Sequence, residues 1–234
     1  MLEQIREGME SMARPYNMGN DDIIVVLMVM LFLLFTFVVY RSRTILLYKL
    51  NTYFSSRQIY SSDEVSTSNQ EFVDIVLLIL IGCFSLGLNL YQSNLGINCS
   101  EPHYGTLLLF VLYIVLMVVF KGMMYGFINW TFFTEEKNKT WLSAFFFSIA
   151  ITSILLFPLA LMQVFVRAEW INMQLCLLGI LILQKILLLC KLYVNFRPKR
   201  YGGLLFFLYF CSVEIMPTLI VWHILQKMNI ESVA

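Results

Sequence analysis

The chain has 234 residues, of which 59% are hydrophobic and only 13% charged, about half the charge of an ordinary soluble domain. That much apolar surface cannot be hidden in a water-soluble core of this size. A formal net charge of +1 gives no global field pointing to nucleic acid or to an acidic partner.

In chain order, residues 1–22 form a polar tail. Six apolar stretches follow, each long enough to cross a bilayer core, which takes about 20 residues of helix. They are Ile23–Tyr40, Phe72–Tyr91, Tyr104–Phe120 and a few residues beyond, Leu142–Val166, Ile171–Tyr193 and Gly202–Gln226. Their continuous apolar texture is that of helices, not the ten-residue alternation of an outer-membrane barrel. The expected fold is therefore an all-α polytopic membrane domain of six transmembrane helices over residues 23–226, with a short tail at 227–234.

Ile23–Tyr40 has no small-residue cleavage pattern beside it and reads as a retained span. Asn20 or Asp21 is placed to cap it by accepting its free backbone N–H groups. Residues 41–71 make the connection to the second span. Within them, Leu46, Leu50, Tyr53 and Phe54 recur at helical spacing over 41–60, which predicts an interfacial helix whose Arg43, Lys49 and Arg57 meet lipid phosphates. A solvated basic loop is the competing reading. Ser61–Gln70 is Ser/Thr-rich and reads as a flexible connector. Later connections are short: Glu135–Thr140 closes spans three and four, and Arg167–Trp170 makes spans four and five a tight hairpin. No internal repeat of the inverted-transporter kind is visible.

Basic residues collect on the cytoplasmic side of membrane proteins. Arg41, Arg43, Lys49, Arg57, Lys121, Lys137, Lys139, Lys191, Arg197, Lys199 and Arg200 fall on one side, and only Arg6, Arg14, Arg167 and Lys227 on the other. Both termini are therefore expected on the outer, periplasmic side. The tryptophans suit this orientation, Trp130 and Trp141 at the inner interface and Trp170 and Trp222 at the outer one.

The polar groups inside the spans carry the functional question. Glu214 lies about twelve residues, roughly 18 Å, into the last span, near the midplane. A carboxylate at that depth costs at least about 2.5–3.5 kcal/mol and should find a partner. Pro217, three residues on, leaves the Val213 carbonyl without its helical donor and bends the span. Lys185, beside Gln184 in the fifth span, is about 6 Å away in height and is the natural counter-ion. Lys121 is a second candidate, although it could snorkel to the headgroups. A proton- or ion-handling pair is one reading; a structural pin between spans five and six is the plainer one. Gly122 and Gly126 form a Gly-x-x-x-Gly that permits close helix approach. Pro158 kinks the fourth span and frees the Ile154 carbonyl.

Five cysteines, an odd number without a Cys-x-x-Cys pair, do not make a disulfide framework. Cys83, Cys176, Cys190 and Cys211 lie in spans as small apolar residues. Cys99, Glu101 and His103 alternate in an outer loop with His223 on the same side. They could ligate zinc, but Pro102 interrupts the run and an ordinary polar loop is the default. Asn98-Cys99-Ser100 and Asn138-Lys139-Thr140 fit a glycosylation triplet that is common by chance. Nucleophile elbow, His-Glu-x-x-His, Walker loop and dinucleotide fingerprint are all missing. No enzyme, cofactor or metal is expected.

Tyr209-Phe210-Cys211-Ser212-Val213-Glu214-Ile215-Met216-Pro217 resembles the Tyr-x-Cys-Thr/Ser-x-Glu-Ile-x-Pro signature of a family of Bacteroidota inner-membrane proteins, known only as a domain of unknown function. The likeness extends to Phe120-Lys121, Trp141 and Leu156-Phe157-Pro158-Leu159, and so covers most of the membrane domain. It implies a multi-pass protein of the bacterial cytoplasmic membrane and singles out Glu214 and Pro217. The expected role is a non-enzymatic subunit of a larger envelope-biogenesis or protein-export assembly of the translocon type. Its partners would be the lipid bilayer and other integral membrane proteins, with no nucleic acid. A small transporter or channel built on the Glu214–Lys185 pair is the alternative.

Overall fold

The computed structural model describes residues 18–54, 69–98, 104–132, 135–166 and 170–195. A 3₁₀ turn, Met18–Asn20, leads into five α-helices: α1 Asp22–Phe54, α2 Asn69–Asn98, α3 Tyr104–Phe132, α4 Glu135–Phe165 and α5 Trp170–Asn195. No strand occurs among the described residues. Each helix holds a stretch long and apolar enough to cross a membrane: Asp22–Asn51, Gln70–Gln92, Tyr104–Phe127, Trp141–Phe165 and Met173–Lys191. This is a multi-pass membrane protein. In lipid the backbone must satisfy its own polar groups, and a helix does so within one segment. The expected sixth span, Gly202–Gln226, lies outside the described residues.

Asp21 is the cap of α1. Its Oδ1 accepts the Ile23 N–H at 3.0 Å and its carbonyl accepts that of Val25 at 3.0 Å. The second carboxylate oxygen accepts the Tyr104 hydroxyl at 2.8 Å, which ties the start of α1 to the start of α3.

From Tyr40 onward the structure departs from the sequence expectation. Residues 41–54 continue α1 without a break instead of forming a separate interfacial helix. No Gly or Pro stands between Tyr40 and Phe54, and Arg, Leu and Lys are good helix formers, so nothing ends the helix there.

α2 and α4 are the inner pair. Within their spans 56% and 50% of residues are buried, against 17% in α1, 17% in α3 and 11% in α5. α3 packs on α2 and α4, α5 on α4, and α1 chiefly on α2 with a light touch on α4. Two glycines of α2 set the approach. A Cβ on Gly82 would overlap the Ser153 side chain and stand 3.0 Å from the Ser153 Cα on α4. One on Gly87 would meet Val111 Cγ2 at 2.7 Å and the Val111 backbone nitrogen at 3.3 Å on α3. Both crossings bring backbones close because a side chain is missing. Gly122 and Gly126, expected to do this, differ from them. A Cβ on Gly122 would meet the Phe146 ring at 3.2 Å and that of Phe145 at 4.0 Å, and no described residue lies within 4 Å of one at Gly126.

Two large apolar clusters and a small third one around Ala144 and Phe147 fill the bundle among the described residues. At the Asp22 end, Met18, Ile24 and Met28 pack with Leu88, Tyr91 and Phe110. At the Phe54 end the core is aromatic. Trp141, 1% exposed, stands edge-on to Tyr125 at 5.7 Å, and Tyr125 meets Phe145 at 4.9 Å. Trp141 is thus a core residue and not a belt residue, whereas Trp130 is 70% exposed, as an interface anchor requires.

Candidate functional site

The apolar runs conceal two polar layers at opposite ends of the bundle. The first joins α1 to α2 near Phe54. Asp74 lies four residues, about 6 Å, inside the α2 span, and its side chain is only 5% exposed. The Arg41 guanidinium reaches it at 3.5 Å from α1. One turn towards the end of the bundle, Lys49 and Glu71 pair at 3.5 Å. Glu71 and Asp74 are three apart and Arg41 and Lys49 eight apart, so each pair of like charges shares one helix face. Ser42 completes the layer, its hydroxyl donating to the Val38 carbonyl at 2.7 Å. Ser42, Lys49, Glu71 and Asp74, with apolar neighbours such as Leu46 and Leu78, line a cavity of about 10 Å³, room for about one water. A carboxylate this deep is tolerated because a cation stands beside it. Of Arg43, Lys49 and Arg57, the basic residues expected at lipid phosphates, Lys49 is therefore paired within the protein.

The second layer ties α2, α4 and α5 together near the Asp22 end. Gln174 Nε2 donates to Asn89 Oδ1 at 2.8 Å, and Asn89 Nδ2 donates to Gln163 Oε1 at 2.7 Å. Asn89 and Gln163 are buried. Gln163 Nε2 and Gln92 Oε1 are also buried and have no hydrogen-bond partner among the described residues. Neutral amides can sit just inside the membrane where charges could not, because they partner one another.

Between these layers the hydroxyls are consumed by their own helices. Thr152 donates to the Ser148 carbonyl at 2.9 Å, Ser153 to Ile149 at 2.9 Å and Ser85 to Ile81 at 2.8 Å. Such bonds let a hydroxyl lie in an apolar interior without a partner helix. Pro158 sits within α4, which continues through it.

Of the residues singled out in the sequence, Lys185 and Lys121 are half-buried on α5 and α3. Glu214 and Pro217 lie outside the described residues, as do Cys99, Glu101, His103 and His223. Among the described residues no three His, Cys, Asp or Glu side chains are grouped as for a metal.

Against known proteins, a family model matches residues 23–225, from the second residue of α1 to the end of the last apolar stretch. Its description is a domain of unknown function, DUF4271. The chain belongs to the DUF4271 family. No curated protein matches it, and no solved structure does. The DUF4271 unit thus includes all five described spans and the Gly202–Gln226 stretch, and both polar layers fall within it.

Sequence reasoning passed over Asp74, Asn89, Gln163 and Gln174. Asp74 stands only two residues inside the apolar run Phe72–Tyr91 and looks like its rim. Asn89 and Gln92 have a weak signal of their own, two amides three apart on one helix face.

Proposed function

We propose that this DUF4271 protein is a non-enzymatic subunit of a larger assembly in the bacterial cytoplasmic membrane, of the envelope-biogenesis or protein-export kind. It crosses the membrane six times with both termini outside, as the distribution of Lys and Arg favours. One observation carries the reading. On α3, Met123, Phe127 and Trp130 are 61%, 64% and 70% exposed. They recur at i, i+4 and i+7, on one face of the helix. Gly126 stands among them, and no described residue lies within 4 Å of a Cβ added there. A glycine without a described neighbour, flanked by large apolar side chains, gives a partner helix a place to approach. The buried polar groups, by contrast, are largely spent on one another.

Gentle affinity purification of the native protein tests this. A stoichiometric membrane companion is expected, and Gly126→Leu, whose Cβ would have no described neighbour within 4 Å, should release it. Recovery of the wild-type protein alone would sink the proposal.

A second reading, a small transporter or channel, draws on Asp74, an acid held inside a span by one cation. Its test is Asp74→Asn, which should abolish cellular function while the protein remains folded. Full function in that variant removes the reading.

A further inference from the structure

Asp74 and Lys49 belong to different ion pairs, yet both line the cavity of about 10 Å³ between α1 and α2, together with Glu71 and Ser42. Leu78 and Phe147 stand on its apolar side and are 0% and 3% exposed. Asp74 is buried as well. The cavity thus reaches from a half-buried rim, Lys49 and Glu71, to groups that solvent hardly touches.

Its size admits one water or one small ion, and the lining decides between them. A cation would lie against the Lys49 ammonium and an anion against two carboxylates, and a poorly solvated interior strengthens both repulsions. A water has hydrogens for the carboxylates and an oxygen for the ammonium. The ion pairs leave scope for such bonds. Each is 3.5 Å long, against about 2.7–2.9 Å for a close charge-assisted hydrogen bond. A carboxylate offers about four acceptor positions, and an ammonium several donors. Ser42 gives its own hydrogen to the Val38 carbonyl, so towards the cavity its oxygen can only accept.

We propose that this cavity binds one ordered water, which accepts from Lys49 and donates to Asp74 and Glu71, joining the two ion pairs into one network. About three such bonds are what a buried water ordinarily makes. Glu71 and Asp74 are neighbours on one face of α2, and a water hydrogen directed at each eases their mutual repulsion. The water also carries solvation from the Phe54 end to a carboxylate about 6 Å inside the span, whichever role the protein plays in the membrane.

Hydroxyl-radical footprinting of the full chain in lipid nanodiscs tests this, because X-ray pulses make radicals from bound water and oxidise the side chains it touches. Two matched pairs supply the comparison. Phe147 and Phe145 share α4 and are 3% and 1% exposed, and Leu78 and Leu88 share α2 and are both 0% exposed. Phe147 and Leu78 line the cavity, whereas Phe145 and Leu88 do not. Short pulses should oxidise Phe147 and Leu78 several-fold faster than their counterparts. Ser42→Val and, separately, Ser42→Leu extend a side chain into the space and should remove the excess, while Ser42→Ala, which enlarges it, should keep the excess. Equal rates within both wild-type pairs would mean a dry cavity and would overturn the proposal. An excess that survives both filling variants would overturn it too. A rise at Phe145 and Leu88 in a variant would report an opened bundle, and the wild-type comparison then decides alone.

Discussion

Gly82→Ala is the sharpest test of how the inner helix pair is held. The added Cβ would overlap the Ser153 side chain and stand 3.0 Å from the Ser153 Cα, where ordinary contacts begin at 3.4 Å. A hydroxyl can rotate away, at the expense of its bond to the Ile149 carbonyl. The Ser153 Cβ, 2.5 Å away, and the Cα cannot, so α2 and α4 must part by up to about 0.9 Å along a crossing shared by their neighbours. Overpacking of this kind costs about 1–3 kcal/mol, and replacing glycine within a helix returns up to about 1 kcal/mol. The net expectation is a loss of about 1–2 kcal/mol, near tenfold in the folding equilibrium. Gly126→Ala, with no described neighbour to strike, supplies the comparison and should be neutral or slightly stabilising. Denaturant titration of both variants in mild detergent, followed by tryptophan fluorescence, measures the difference. Equal stability of Gly82→Ala and wild type would refute the tight α2–α4 crossing, whereas recovery in Gly82→Ala/Ser153→Gly would support it.

Asp74→Ala leaves Arg41 beside an apolar interior and should cost about 1–3 kcal/mol, less than a fully buried pair because Arg41 is 40% exposed. Unfolding of that variant checks this, and Arg41→Met/Asp74→Leu should recover most of the loss. Asn89→Leu removes two interhelical hydrogen bonds, and Gln174→Leu removes one. At about 0.6–1.7 kcal/mol each, the first should destabilise roughly twice as much in the same titration. Tyr104→Phe loses only the bond to Asp21. It should cost about 1 kcal/mol and speed amide hydrogen exchange at Ile23 and Val25, with no change in α5.

The spans were legible in the sequence because length and apolarity alone define them. Which face of each span turns inward was not. Leu107 is 7% exposed and its neighbour Leu108 is 70%, yet one residue type serves both, because lipid is as apolar as the core. The cap of α1 was readable to within two residues, Asn20 or Asp21, and the structure gives it to Asp21. The extension of α1 through residues 41–54 was not, since Leu46 and Leu50 at helical spacing suit a helix on the membrane as well as one leaving it. Asp74 escaped because an acid near the end of an apolar run resembles its boundary. Only the packing of α1 against α2 reveals Arg41 beside it. Trp141 shows the same limit: a tryptophan at a span terminus fits an interface until Tyr125 and Phe145 are found around it.

α1 is 33 residues long, about 50 Å, against a hydrocarbon layer of about 30 Å. Several of its turns therefore project past the lipid as one stiff rod with the buried part. Whatever grips those turns acts on the rod as a whole, since no break separates them from the part of α1 that packs on α2.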